Sequence, residues 1–322
     1  MSKDDYANWM GSLPKEFLHL PLNHLAIPGS HDSATYEIER AIAPDAPPVV
    51  RMVPYCCSVR WAKCQNLNIC QQLKAGIRYF DLRVACRENR SENVYFTHSL
   101  YGPPVPEVLG EIRAFLDGHK MEVVLLDFNH FYGFTQDLHR ELVTILETAF
   151  RGLLCPKSTM ADVTLSKLRQ LNQQVIIFYQ NGGGHHLWPT ESIFSCWPDT
   201  MRVCKVLIRD AQEEWKSKLL EKRKKANPEE VFGVYQTVLT PTRWTCAKFW
   251  GSVQTKCAEA INPRLGEWMR AGQAAMIYIA DFVDQPGDFV ESVLSLNRSA
   301  IGGRDFATAA EPGSLQQLTR GT

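Results

Sequence analysis

Short β-rich runs separated by amphipathic helical patterns recur along most of this chain, and that alternation constrains its fold more than any other feature. The predicted strands are residues 25–27, 77–84, 94–97, 123–128, 175–179, 232–239 and 276–282. Several are nearly unbroken apolar runs, as expected of strands covered on both faces. Between them, residues 106–117 put Val108, Leu109, Ile112, Phe115 and Leu116 on one helical face, and the run opens with a proline, which suits a first turn. Leu138, Leu142, Ile145, Leu146 and Phe150 make a second stripe, Leu207, Ile208, Ala211, Trp215 and Leu219 a third, and Phe289, Val290, Val293 and Leu294 a fourth. Alternation of this kind over 322 residues predicts a parallel α/β fold, a distorted TIM-type (β/α) barrel in a single domain. Residues 202–206 form only a weak eighth strand, so the barrel is expected to be irregular.

Two stretches break the rhythm. Residues 34–66 contain Pro44, Pro47, Pro48 and Pro54, which forbid a continuous helix or a central strand, and read as a loop with short helical pieces. Residues 301–322 are rich in Gly, Ala, Ser, Gln and Thr and read as a loosely held tail, leaving 1–300 for the barrel.

Basic and acidic residues balance at 35 each, which argues against a nucleic-acid protein relying on a broad positive field. Attraction to anionic lipid over long range is expected to be weak for the same reason, so membrane contact would be local and apolar. The first residues are polar, and no uncharged apolar run reaches the ~18 residues that span a bilayer. Position 2 is Ser2, not the glycine of a myristoylation signal, and the C-terminus lacks a prenylation cysteine. A cytoplasmic location with peripheral contact at membranes is expected. The ten cysteines include no Cys-x2-Cys pair and read as reduced, mostly buried thiols with no metal site.

The residues that carry chemistry gather at predicted strand ends. His31, Asp32 and Ser33 follow the first strand, Asp81 and Arg83 close the second, His98 follows the third, and Asp281 comes near the end of the last. Asp81 and Arg83 share a face because strand side chains repeat every two residues. Each has an ordinary reading by itself: Asp32 and Ser33 as helix caps, Asp81 and Arg83 as a structural ion pair, His98 as a core imidazole. Together they supply what metal-free phosphodiester cleavage needs. One imidazole removes a proton from the attacking hydroxyl, another protonates the leaving oxygen, and a fixed cation holds the charge growing on the phosphoryl oxygens.

The turn Pro28-Gly29-Ser30-His31-Asp32, the run Gly76-Ile77-Arg78-Tyr79-Phe80-Asp81-Leu82-Arg83 and the strand end at His98 resemble the X region of phosphatidylinositol-specific phospholipase C. The small animal members that consist of that region alone are most similar, and Asn8-Trp9-Met10, residues 122–132 and Ala280-Asp281-Phe282 extend the resemblance over roughly residues 6–297. The resemblance implies a distorted barrel that cleaves phosphatidylinositol-type lipids to diacylglycerol and an inositol 1,2-cyclic phosphate, which is hydrolysed further more slowly. It implies that His31 is the general base steadied by Asp281, and His98 the general acid steadied by Asp32. Arg83 would bind the phosphate, and Asp81 would orient the arginine and the attacking hydroxyl. Both histidines would need pKa values near neutrality. Asn129, Tyr179 and Tyr235 are the expected substrate contacts.

Departures from the calcium-dependent relatives are informative. Asp32, Asp81, Arg83 and Phe128 stand where those relatives carry an amide and acidic calcium ligands; an arginine would repel the ion and a phenylalanine cannot coordinate it. Arg83 then stands in for the metal, as in the bacterial type, and no cofactor is expected. The bacterial lysine after the fourth strand is replaced here by Asp127-Phe128-Asn129-His130, so headgroup recognition differs. Two other readings remain open at this point: a phosphoinositide-binding or regulatory protein with little turnover on the same fold, and a metal-dependent glycerophosphodiesterase barrel, which Arg83 disfavours.

Secondary signals are weaker. Residues 243–250 combine basic and aromatic side chains and read either as a membrane-interface loop or as a cap on the barrel, and residues 49–55 near the mouth read the same way. Lys222 to Lys225 read as the solvated end of a helix, and residues 182–186 as a flexible rim loop.

Overall fold

The computed structural model describes residues 3–88, 93–181, 186–223, 227–242, 245–246 and 251–303. Among them, nine strands form one sheet: β1 (Ile27–Ser30), β2 (Tyr79–Cys86), β3 (Val94–His98), β4 (Leu100–Pro104), β5 (Val124–Tyr132), β6 (Val175–Tyr179), β7 (Ile193–Cys196), β8 (Phe232–Gln236) and β9 (Ile277–Ala280). Seven pair in parallel in the order β6–β5–β2–β1–β9–β8–β7, the staves of a distorted TIM-type barrel. No ladder joins β6 to β7 among the described residues. Beside that seam, Phe178 of β6, Trp188 and Phe232 of β8 meet edge-on, with ring centroids 5.3 to 5.9 Å apart. Backbone pairing there is one isolated bridge, in which the Trp188 amide donates to the Ile177 carbonyl and the Tyr179 amide to the Trp188 carbonyl, and side-chain packing supplies the rest.

The helices are α1 (Tyr55–Ala62), α2 (Ile69–Lys74), α3 (Val105–Gly118), α4 (Gln136–Ala149), α5 (Leu165–Gln170), α6 (Val203–Val206), α7 (Ala211–Arg223), α8 (Glu259–Arg270) and α9 (Phe289–Gly303). The four apolar stripes fall on α3, α4, α7 and α9, except that Phe150 follows α4 and Leu207 and Ile208 precede α7. Local signals set their ends: Thr135 Oγ1 accepts from the Leu138 amide ahead of α4, and Asn68 with Gln71 closes a capping box on α2. The proline-rich stretch 34–66 carries the short helix α1, as expected. α9 crosses the boundary placed at residue 301, and residues 304–322 lie outside the described residues.

Three expectations need correction. Residues 202–206 are not a strand; α6 lies there, and the missing stave is β7, whose four residues are too few to show a period. The run at 94–97 is not a stave either. β3 is antiparallel to β2 and forms a hairpin with β4. Finally, only four of the ten cysteines are buried, Cys64, Cys155, Cys196 and Cys257; Cys56 and Cys204 are exposed, and all ten are free thiols.

Strand lengths position the site. β1 ends at Ser30 opposite Phe80, whereas β2 continues to Cys86 and β5 to Tyr132. The upper part of β2 therefore rises above its neighbour, and β3 pairs there with Val84 to Cys86. Asp81 and Arg83 sit in the interval between these two pairings. At the other end of the barrel, the motif residue Arg78 is fully buried, with Nη2 2.7 Å from Glu122 Oε2, while Glu122 also accepts from the Met10 and Gly11 amides. Arg78 is a structural plug, not part of the mouth.

Candidate active site

Three sharp turns deliver the site. Asp32, Ser99 and Phe282, each immediately after a site residue, have φ of 41°, 64° and 46°. Left-handed backbone is rare for side chains of these kinds, costing on the order of 1–3 kcal/mol each, and persists where the surroundings over-determine it. Those surroundings are specific. The Asp32 amide donates to Asp81 Oδ2 at 2.9 Å, the Ser99 amide to Asp45 Oδ2 at 2.5 Å, and the Phe282 amide to the Cys64 carbonyl at 2.7 Å. Gly29 makes the first turn possible: a Cβ there would meet Ile279 and Tyr79 at 2.8 Å. Gln65 clamps the ends of β1 and β9 by donating to the carbonyls of His31 and Ala280.

His31 Nδ1 lies 2.7 Å from Asp281 Oδ1, which fixes the ring and directs Nε2 toward Arg83 Nη2 at 3.1 Å. Arg83 Nε is 2.8 Å from Asp32 Oδ1 and its Nη2 is 3.5 Å from Asp81 Oδ2. The Nε contact is close but misaligned for a hydrogen bond, since neither Nε nor Asp32 Oδ1 has a hydrogen-bond partner among the described residues. The guanidinium is thus held mainly by its ion pairs with Asp32 and Asp81, with its Nε buried against Asp32. Asp32 Oδ2 stands 3.4 Å from His31 Nε2 and 3.7 Å from His98 Nε2, so the two imidazoles flank one carboxylate oxygen. His98 Nδ1 is 2.9 Å from the Ala62 carbonyl and 3.6 Å from Cys64 Sγ. His98 is therefore steadied first by backbone, and Asp32 reaches both rings while standing nearer His31.

Burial penalises charge on His31, but Asp32 and Asp281 outweigh it and push the pKa up to about 9. A base poised near neutrality was expected; in the free site the ring is mostly cationic at pH 7. Burial also opposes charge on Asp32, yet Arg83 and His98 hold its carboxyl down to about 2. Arg83 is raised despite burial because Asp32 and Asp81 face it. Asp127 is pushed up to about 6 by burial.

Strand parity decides the remaining candidates. Tyr79, Asp81 and Arg83 share the interior face of β2, where Tyr79 donates to Asp127 Oδ2 at 2.6 Å. Asn129 is the bulged residue where Arg83 comes to pair with His130; it gives its amide to Asp81 Oδ1 at 2.5 Å and supports that carboxylate rather than lining the mouth. Tyr179 and Tyr235 point the other way. The Tyr179 hydroxyl meets His139 Nδ1 of α4 at 2.7 Å. Tyr235 donates to the Val206 carbonyl at 2.9 Å, and its ring packs near Trp268 of α8. Both tyrosines are buried in the helical layer, so neither contacts substrate at the mouth.

Above the cluster opens a cavity of about 540 Å³ whose floor includes His31, Arg83, His98 and Asp281. Its walls are largely apolar and include Val50, Val53, Trp61, Trp197, Val238 and Leu239. His130 and Tyr132 also line it and were missed in the sequence; their placement two apart on the extension of β5 beyond Phe128 was the available signal. Burial and then Arg83 lower the pKa of His130. Among the described residues, His31, Asp32 and Cys64 are close enough together to ligate one ion. Arg83 already neutralises Asp32 there, and burial raises the Cys64 pKa, which favours the neutral thiol over the thiolate that binds metals.

Human PI-PLC X domain-containing protein 3 is 36% identical to this chain over 309 residues, covering 90% of the chain and 93% of the relative. The chain belongs to the PI-PLC X domain-containing family. The mouse protein 1 of that family is 32% identical over 317 residues, covering 91% of the chain and 87% of the relative. The family model described as phosphatidylinositol-specific phospholipase C, X domain, matches residues 54–181. That span includes Asp81, Arg83 and His98 and leaves His31, Asp32 and Asp281 outside. In fold, the chain is similar to a mutant of the phosphatidylinositol-specific phospholipase C from Staphylococcus aureus, with a TM-score of 0.65 at 18% identity over 92% of this chain and 98% of that one. The corresponding protein from Listeria monocytogenes gives 0.63 at 16% identity, covering 90% and 98%.

Proposed function

We propose that this protein is a metal-independent phosphodiesterase acting on phosphatidylinositol-type lipids, working at a membrane surface from the cytoplasm. The observation that carries the reading is Arg83, held between Asp32 and His31 at the floor of the cavity, beside two imidazoles that reach the same carboxylate oxygen. A phosphate diester entering the cavity replaces carboxylate contacts on the guanidinium. His31, oriented by Asp281, takes the proton from the inositol 2-hydroxyl as that oxygen attacks phosphorus. His98 gives a proton to the departing diacylglycerol oxygen, and Arg83 holds the charge that accumulates on the phosphoryl oxygens. Asp81, tied to Asn129 and the Asp32 amide, keeps the arginine and the attacking hydroxyl aligned. The cyclic phosphate is then opened by water with the two imidazoles exchanging roles.

The rim supports lipid access. Met52 is 84% exposed and Trp197 is 51% exposed, beside Val50 and Val53 of the cavity wall; such side chains suit a bilayer interface. Of the aromatic-basic stretch 243–250, only Thr245 and Cys246 fall among the described residues. No described helix is long and apolar enough to cross a membrane.

One observation favours a second reading, a phosphoinositide-binding protein with little turnover. With a pKa of about 9, His31 is already protonated at neutral pH and has little capacity there to take a further proton. Phosphorus NMR of the products separates the two. The first reading gives an inositol 1,2-cyclic phosphate signal that appears first and declines, and is absent with His31→Ala or His98→Ala of unchanged melting temperature. Lipid binding with no cyclic product at any pH would favour the second.

A further inference from the structure

α1 borders two cavities. Its Cys57, Ser58, Trp61 and Ala62 face the catalytic one, while Val59, Arg60 and the following Lys63 face another of about 540 Å³. The opposite wall of this second cavity includes Ser252, Gln254 and Lys256, with Phe282 beside it. Arg60 and Lys63 are three residues apart, so helical spacing turns both to the same side. Three cations converge on one concavity, and none enters an ion pair or a side-chain hydrogen bond among the described residues. The chain as a whole is balanced at 35 basic and 35 acidic residues, so this is a local concentration.

The wall is shaped around one of these cations. Gly251 has φ of 125°, and a Cβ on it would meet Lys256 Cγ at 2.8 Å and Cε at 2.9 Å. The bare glycine makes room for the aliphatic stem and presents the ammonium to the cavity. Val59 and Phe282 supply apolar surface beneath, which strengthens any charge interaction made above it.

We propose that this second cavity binds the phosphate of an anionic membrane phospholipid other than the one being cleaved. The inference rests on the reading that the catalytic mouth faces lipid. Because α1 is shared, a bilayer that meets the mouth also meets Arg60 and Lys63. With no net charge to draw the chain to an anionic surface, a local pocket of three cations supplies the attraction. A planar guanidinium flanked by two ammonium groups suits a phosphate carrying one or two negative charges.

Sedimentation with phosphatidylcholine vesicles, with and without phosphatidic acid and always without inositol lipid, tests this independently of catalysis. The wild type gains affinity when phosphatidic acid is present. Arg60→Gln/Lys63→Gln/Lys256→Gln loses that gain, by about fivefold for each charge removed, and binds neutral vesicles as the wild type does. A charge-matched control, Lys15→Gln/Lys74→Gln/Lys120→Gln on segments ahead of β1, β2 and β5, keeps the gain. Should the triple variant not fold, Arg60→Gln alone carries the same comparison. An equal loss in the control or no gain in the wild type would each overturn the proposal. If this site fails while phosphatidylinositol is still cleaved, only this inference falls.

Discussion

Arg83 holds its Nη2 3.1 Å from His31 Nε2, the nitrogen we propose as acceptor of the proton from an attacking hydroxyl. The same guanidinium contacts Asp32 and Asp81, so one planar cation links the base to both carboxylates beneath the cavity. Arg83→Lys keeps the charge and loses the fork. We expect turnover of phosphatidylinositol to fall about a hundredfold to a thousandfold, comparable to removing a principal donor to a developing oxyanion. Steady-state kinetics with circular dichroism as the folding control checks this; a loss below tenfold would mean that a point charge suffices.

The pH dependence follows from His31. Its folded-state pKa is raised to about 9, so below that value the ring is protonated and cannot serve as a base. In the proposed mechanism His98 must keep its proton while His31 gives its own up, so kcat/KM should trace a bell-shaped profile with one limb set by the raised His31 pKa. Asp281→Asn removes a charge that raises the pKa and should shift the His31 limb to lower pH while reducing the maximum, because the ring also loses its orienting partner. A limb that stays in place in Asp281→Asn would show that Asp281 does not tune His31.

Tyr235 offers a test of strand parity. Its hydroxyl donates to Val206 in the helical layer, away from the mouth. Tyr235→Phe should leave KM for phosphatidylinositol unchanged and lower stability by about 1 kcal/mol, the typical worth of one buried hydrogen bond. Urea denaturation and Michaelis kinetics read the two effects separately. A raised KM with unaltered stability would return Tyr235 to the list of substrate contacts.

These residues show what was legible in the sequence. His31, Arg83 and Asp281 could be brought together because polar groups in short motifs at strand ends are gathered by a barrel at one rim, while His98 reaches the same cavity from the hairpin strand β3. Tyr179 and Tyr235 were misassigned because a fully buried stave is apolar on both faces, which hides its parity. The hairpin of β3 and β4 was read as part of the barrel because direction of pairing leaves no mark on a five-residue run. β7 was missed for its length. The raised pKa of His31 depends on three carboxylates from separate segments, Asp32, Asp81 and Asp281, converging on one ring. Only the folded arrangement reveals their sum.

The decisive measurement is release of water-soluble inositol phosphate from phosphatidylinositol micelles by the pure protein, followed across the pH range from 6 to 9 with and without excess chelator. Arg83 in place of an ion predicts release at the same rate in both. Release that stops with chelator and returns with calcium or magnesium, or no release under either condition, would contradict the account.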